Sequence, residues 1–427
     1  MPDISKFNGV ITTNISKIDG VTVTSVAEIN GATAPVGGGD GNTATRFVAA
    51  IEANYYAYAA VTALSGNTNW TPRSSRSAGT AKPFDIGYGK DASGNGIYII
   101  TRANSTRELE VSSTDVTAVA DWTMVDISSD LGQRNQIIVM WGARSDGNVA
   151  GTWMACGDQS GKRIHRSVDG GANWTNVDLS GITNHDAARD IQSIASDGDG
   201  NWAFAQENRL YFSDDDGASF TSSTPWGAQN STNEGGGPGQ VRGFLYTNDS
   251  WVVIYSRSNQ IYVRSCAKTD ITDWGTEHRP TIQYNQNTAD GSGTVTDTVY
   301  AKNPTNTLDQ RASSMAANGR VVLATTGDDA IFYFDVDGKT ISNGGGKYFK
   351  VDNTYEGVPG WNTSNTIQDI ATDGANNWVA CCDKGDAYLS TDNGATWSQM
   401  CDSYDEGSVS STNDWKAICA DVTFPIG

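Results

Sequence analysis

An octapeptide written three times constrains this chain more than any other feature. The copies are Ser167-Val168-Asp169-Gly170-Gly171-Ala172-Asn173-Trp174, Ser213-Asp214-Asp215-Asp216-Gly217-Ala218-Ser219-Phe220 and Ser390-Thr391-Asp392-Asn393-Gly394-Ala395-Thr396-Trp397. The shared pattern is Ser-x-Asp-x-Gly-x-x-aromatic. An Asp side chain accepts hydrogen bonds from the N–H groups of its own turn. The Gly takes the positive φ that a tight reversal needs, and the aromatic plugs the apolar layer beneath. Each copy therefore predicts a β-hairpin, with Ser167, Asp169, Gly171 and Trp174, then Ser213, Asp215, Gly217 and Phe220, then Ser390, Asp392, Gly394 and Trp397 as structural residues.

The octapeptides sit in a longer repeat. Ile191-Gln192-Ser193-Ile194-Ala195-Ser196-Asp197-Gly198, followed by Asn201-Trp202, matches Ile367-Gln368-Asp369-Ile370-Ala371-Thr372-Asp373-Gly374, followed by Asn377-Trp378. Both lead to a Tyr-x-Ser strand and an octapeptide. Weaker units run from Asp85, Val241 and Ser313. Closing aromatics fall at Trp70, Trp122, Trp174, Phe220, Trp274, Phe349 and Trp397, at intervals of roughly 50 residues. Several strands per unit at that period predict an all-β, seven-bladed β-propeller over residues 45–427. Trp415 to Asp421 reads as a lone innermost strand, and the first unit lacks one. The C-terminal strand is thus expected to close the first blade, leaving no gap between blades. Phe47, Ile51, Tyr55 and Tyr58 fit a helical face, but Tyr55-Tyr56-Ala57-Tyr58 is read as strand. Composition agrees: of 49 acidic residues nine are Glu and the rest Asp, and there are 47 Gly, a turn-rich and helix-poor usage.

The octapeptide resembles the Asp-box of BNR-like β-propeller proteins, found in sialidases, sortilin-like receptors and some glycan-processing enzymes. In that family the box is a structural turn remote from any catalytic centre. The resemblance therefore bears on fold and little on activity.

Residues 1–36 carry a second repeat, of period 11: Ile4 to Val10, Ile15 to Val21 and Val26 to Ala32 each place Asn-Gly or Asp-Gly between short apolar runs. These are hairpin signals. Such small hairpins need a neighbour to be stable. Ile4, Phe7, Val10, Ile15, Ile18, Val21, Val26 and Ile29 recur in register, so a docking arm is expected, with a solvated β-arm as the alternative. The Gly-rich stretch 37–44 reads as a linker. The arm resembles the N-termini of structural proteins of tailed bacteriophages, particularly marine ones. That resemblance implies a virion location, with other virion proteins as partners through the arm.

A net charge of −20 disfavours a nucleic-acid surface. No signal peptide and no apolar run near membrane-spanning length is visible, so host-cytoplasmic synthesis and no membrane insertion are expected. Cys156 and Cys381 occupy equivalent repeat positions and read as packed core thiols. No catalytic residue is nominated. The Arg-Ile-Pro motif of sialidases is absent, and Glu277-His278-Arg279 reads as a solvated loop. The abundant Asp do not single out a glycosidase pair. No metal or cofactor is expected: His165, His185 and His278 are isolated, and Asp197 to Asn201 begins like a calcium loop but lacks its Glu. Three long segments, 226–240, 284–308 and 352–366, carry Trp226, Tyr284, Tyr300, Tyr355 and Trp361 among amides and glycines. Rings with amide neighbours suit sugars, so Trp226, Tyr284, Tyr355 and Trp361 are candidate glycan contacts; the alternative is that they fold back onto the blades. The expected function is a non-enzymatic virion structural protein, as decoration, tail or fibre, displaying a propeller to host-surface glycan. The rivals are a propeller-type glycoside hydrolase and an Asp-box assembly factor.

Overall fold

The computed structural model describes residues 17–18, 21–22, 28–29, 32–33, 44–51, 55–64, 70–74, 82–103, 108–112, 116, 122–126, 136–157, 164–182, 191, 193–206, 209–223, 241–257, 260–287, 294–300, 313–315, 319–325, 330–348, 367–382, 386–401 and 415–422. Seven antiparallel sheets form the blades of a ring, and the described residues contain no α-helix. Blade 1 takes its innermost strand, Trp415–Ala420, from the end of the chain, and continues with Arg46–Ile51, Tyr55–Ala60 and Thr71–Ser74. Blade 2 comprises Lys82–Lys90, Gly96–Ala103, Glu108–Ser112 and Trp122–Asp126. Blade 3 comprises Gln136–Gly142, Thr152–Gly157, Ile164–Ser167 and Thr175–Val177. Blade 4 comprises Ser193–Ser196, Trp202–Gln206, Arg209–Ser213 and Thr221–Ser223. Blade 5 has three strands, Val241–Thr247, Ser250–Arg257 and Gln260–Ala267. Blade 6 comprises Ser313–Met315, Arg320–Thr325, Ala330–Asp337 and Thr340–Tyr348, and blade 7 Ile367–Thr372, Trp378–Cys382, Ala387–Ser390 and Ser398–Cys401.

The core is a chain of apolar clusters between neighbouring blades rather than one central mass. Ile97, Ile99 and Leu109 of blade 2 pack on Trp153 and Ala155 of blade 3. Phe47, Ala49 and Trp415 of blade 1 pack on Val379 and Leu389 of blade 7, which closes the ring. Trp153, Trp202, Trp251 and Trp378 open the second or near-first turn of four second strands and are fully buried. Polar side chains staple the inner strands. Val139 N–H donates to Asp85 Oδ2, Phe244 N–H to Ser193 Oγ and Ile418 N–H to Asp369 Oδ2. Asp85, Ser193 and Asp369 occupy equivalent repeat positions, so the same site links blades 2, 4 and 7 each to the next blade. Cys156 and Cys381 are fully buried, and burial pushes the Cys156 thiol far above its ordinary range.

Several expectations need correction. The stretch from Phe47 to Tyr58, open between helix and strand apart from the Tyr-rich half read as strand, is strand throughout: Phe47 pairs with Ala59 and Val48 with Tyr58. Strand spacing suits these positions because both faces of this sheet are buried between blades 7 and 2. Segment 284–308 is not one loop: Thr281–Asn287 pairs with Thr294–Tyr300 in a two-stranded sheet, inserted after blade 5. Trp174 is half-buried, whereas Phe220 and Trp397 are buried as expected. The Glu277-His278-Arg279 loop is tied down, since His278 exchanges both backbone hydrogen bonds with Val263. In the arm, the strands Lys17–Ile18 and Val21–Thr22 pair, as do Glu28–Ile29 and Ala32–Thr33. Ile4, Phe7, Val10, Ile15 and Val26 lie outside the described residues.

Candidate functional site

Strand order divides the ring into two unlike faces. Turns from the first to the second strand of a blade, and from the third to the fourth, lie on one face. Second-to-third turns and the connections to the next blade lie on the other. The first face is built of short turns. The described strands that flank segments 75–81, 127–135, 224–240, 301–312, 349–366 and 402–414 have their ends on the second.

Asp governs the tight-turn face through one recurring device. Asp169 Oδ1 accepts the N–H of Asn173 and Oδ2 its side-chain amide. Asp215 and Asp392 hold Ser219 and Thr396 in the same way, with hydroxyls in place of the amide. The octapeptide Ser donates to the Asp carboxylate and accepts the N–H of Gly171, Gly217 or Gly394. Those glycines have φ of 84°, 75° and 84°, which a side chain would strain. The lid then hydrogen-bonds back: Trp174 Nε1–H donates to Gly171 O, and Trp397 Nε1–H to Gly394 O. First-to-second turns use the same spacing without the Ser. Asp91 holds Asn95, Asp197 holds Asn201 and Asp373 holds Asn377, each through backbone and side-chain amide. Burial pushes the Asp169, Asp215 and Asp392 carboxyls up, but the hydrogen bonds from Asn173, Ser219 and Thr396 with their turn partners outweigh it and leave all three below the ordinary carboxylate value.

These turns also lock blade to blade. Asp216 accepts from Ser145 N–H and Oγ–H of blade 3. Lys268 of blade 5 reaches Asp197 and Asp199 of blade 4. Lys339 of blade 6 pairs with Asp273, and Gly338 N–H donates to Ser250 Oγ. Arg320 donates to Asn393 O of blade 7. Lys268 stands where a cation would sit on the calcium-like Asp197 to Asn201 turn, so that turn is a salt-bridged hairpin.

At blade 1 the device spans the two chain ends. Asp421 N–H donates to Arg46 O, as Asp197 N–H does to Asn201 O and Asp373 N–H to Asn377 O. Asp421 Oδ1 accepts from Thr45 N–H at 2.6 Å and Arg46 N–H at 2.8 Å, and Thr45 Oγ–H donates to Oδ2. The missing turn is rebuilt from residues 375 positions apart. Ala44 N–H donates to Asp373 O, so the chain enters and leaves the ring on the tight-turn face. The alignment of Ala420-Asp421 with Ser196-Asp197 and Thr372-Asp373 was the available signal for this clasp.

The candidate glycan residues do not come together as one described site. Tyr284 lies on the inserted hairpin opposite Asp297, and Tyr300 opposite Thr281. Trp226, Tyr355 and Trp361 lie outside the described residues, in connections whose flanking strands end on the second face. Glu277 accepts a hydrogen bond from Tyr255 O–H at 2.5 Å, and Tyr255 is buried and stacked on Tyr262. A buried ion pair joins Arg102 and Glu110 within blade 2. Neither pair was legible beforehand, because both partners come from different strands. Among the described residues no three His, Cys, Asp or Glu gather as metal ligands, and no helix is long and apolar enough to cross a membrane.

No protein-family model matches the chain. No curated protein is similar to it. Among solved structures, it is similar to YCF48 from Cyanidioschyzon merolae, at 15% identity over 75% of this chain and 84% of that one, with a TM-score of 0.44. It is similar to a chain of a nidogen/laminin complex at 10% identity, over 77% and 99%, with a TM-score of 0.42. The β-propeller domain of Cps50 (Swd1) from Myceliophteria thermophila matches at 8% identity over 77% and 90%, with a TM-score of 0.41.

Proposed function

We propose that this is a non-enzymatic structural protein of a tailed-bacteriophage particle, anchored by residues 1–36 and presenting an Asp-box propeller that binds host-surface glycan. The observation that carries the reading is the pair of short arm hairpins at the period of 11. Ile18 faces Val21, and Ile29 faces Ala32, across two-residue strands. Hairpins of that size are not stable alone. A partner strand or surface supplies what they lack. The octapeptide geometry supports the Asp-box resemblance, since the Ser, Asp and Gly of all three copies share one hydrogen-bonding pattern. The absence of enzyme activity is supported by the Asp carboxylates, which cap turns and neutralise lysine, and by Glu277, which is engaged by Tyr255.

Mass spectrometry of purified particles tests the location: the chain is expected at stoichiometric level, and its absence overturns the reading. A chain in which Phe7→Asp and Ile18→Asp are combined is expected to be lost from particles while the ring unfolds at the unchanged temperature. Glycan binding is tested on an array, where Trp226→Ala and Trp361→Ala each reduce the signal of the bound sugar. Incubation with sialosides and bacterial polysaccharides is expected to release no product.

A further inference from the structure

Both chain ends leave the ring on one face, and that face carries an apolar spot. Thr45 donates two hydrogen bonds to Asp421 there and Arg46 N–H a third, so the chain enters the ring at the tight turns of blade 1. Among the described residues only Val149 and Val168 are large apolar side chains left exposed, at 56% and 38%. Both lie on this same face. Val149 is in the first turn of blade 3, and Val168 in its octapeptide. They are adjacent to the first turn of blade 2. A Cβ on Gly94 would stand 3.3 Å from the Val149 side chain, and one on Gly170 would strike the backbone of Asp91 and Ala92. Ala92 is itself exposed. The spot therefore spans two turns of blade 3 and one of blade 2, next to the tether on blade 1.

Carboxylates surround it. Asp91 and Asp169 flank the valines, and Asp146 beside Val149 is ion-paired with Arg144, on a chain of net charge −20. An apolar spot with an acidic rim fits a protein surface whose own apolar spot is flanked by lysine or arginine. The tether selects the occupant. A ring held by the arm turns its tight-turn face toward whatever holds the arm.

We propose that Ala92, Val149 and Val168 form a second contact with the same partner protein that takes the arm, fixing the orientation of the ring on the particle. This rests on the reading of the arm as anchor. The partner's surface is apolar and basic.

The test is incorporation of full-length chains into purified particles, together with thermal unfolding of each purified chain. Val149→Asp combined with Val168→Asp is expected to lower incorporation about tenfold, the scale of a lost apolar interface contact, with the unfolding temperature unchanged. Asn233→Asp, in a connection of the other face, is expected to incorporate normally. Normal incorporation of the valine variant overturns the proposal, as does a loss confined to Asn233→Asp. Absence of the unaltered chain from particles is a different result, and removes the anchoring reading itself. Should the valine variant unfold early, Val149→Ser with Val168→Ser keeps the turn neutral, and its loss from particles is expected on the same grounds.

Discussion

Blade 7 and blade 5 reverse the chain after their third strands with turns that share one half and differ in the other. Both keep an aromatic lid: Trp397 Nε1–H donates to the carbonyl three residues back, Gly394, and Trp274 Nε1–H to Ile271. Both keep a capping Asp, since Asp392 holds Thr396 and Asp270 holds Thr272. Blade 5 lacks the Ser and the Gly. In blade 7, Ser390 Oγ fixes the Gly394 N–H at 2.9 Å, and a four-residue outer strand, Ser398–Cys401, follows at once. In blade 5 the chain returns only as far as Gly275 and His278, which bond Ser265 and Val263 without forming a ladder. Lid and Asp make a turn; Ser and Gly make it tight enough to deliver a paired strand.

The sharpest way to break that comparison is to remove each lid. Trp397 is buried, so Trp397→Ala is expected to cost about 3–5 kcal/mol. Trp274 is half-buried and covers no outer ladder, so Trp274→Ala is expected to cost about 1–2 kcal/mol. Denaturant midpoints at constant slope measure both. Equal losses would mean that the lid, not the Ser–Gly pair, carries the turn.

A smaller effect separates backbone strain from packing. Gly394 has φ of 84°, and a Cβ there would stand 2.8 Å from Val322 Cγ2 of blade 6. Gly338, in the third-to-fourth turn of blade 6, has φ of 56° and open space around it. Gly338→Ala is expected to cost about 1–2 kcal/mol, the left-handed penalty alone. Gly394→Ala is expected to cost about 2–4 kcal/mol, with overpacking added. Closely matched values would show that the octapeptide does not press on the neighbouring blade.

The ring was legible because its turns are chemically stereotyped: Asp, an amide or hydroxyl four residues later, and a buried aromatic recur in blades 3, 4 and 7. The C-terminal closure was legible from Trp415 to Ala420 for the same reason. Blade 5 was legible as a weaker unit closing on Asp273-Trp274, and it has three strands because the lid survives there without an outer ladder. The hairpin Thr281–Asn287 with Thr294–Tyr300 was read as loop because Gln, Asn and Thr dominate it, although Asp290-Gly291 stands between its strands. The stretch from Phe47 to Tyr58 was ambiguous because a strand buried on both faces has no polar alternation to reveal it. Of the two faces, the tight-turn face could be inferred residue by residue. The orientation of the candidate sugar contacts could not, since connection length sets no geometry, and Trp226, Tyr355 and Trp361 lie outside the described residues.

The smallest predicted effect tests whether the charge of the capping Asp matters or only its shape. Burial raises the Asp169, Asp215 and Asp392 carboxyls, yet their turn hydrogen bonds prevail and the folded values lie below the ordinary one. A depressed carboxyl stabilises the fold above its unfolded value of about 3.9, and that stability is lost as pH falls through the lower folded value. The unfolding midpoint is therefore expected to be flat from neutral pH down to about 5 and to fall progressively below about 4. Combining Asp169→Asn, Asp215→Asn and Asp392→Asn keeps an acceptor for the turn N–H groups but removes the charge. This variant is expected to be less stable than the original at neutral pH, and the difference should close as the pH approaches 3, where the original carboxyls take up protons. Asp270, whose carboxyl is lowered first by the Thr272 hydroxyl, is fully exposed and caps a turn with no ladder behind it. Asp270→Asn should leave the midpoint where it was at every pH. A gap between the triple variant and the original that persists unchanged at pH 3 would show that these side chains act through shape alone, and the distinction between the Ser–Gly turns and blade 5 would then rest on Ser and Gly without any contribution from charge.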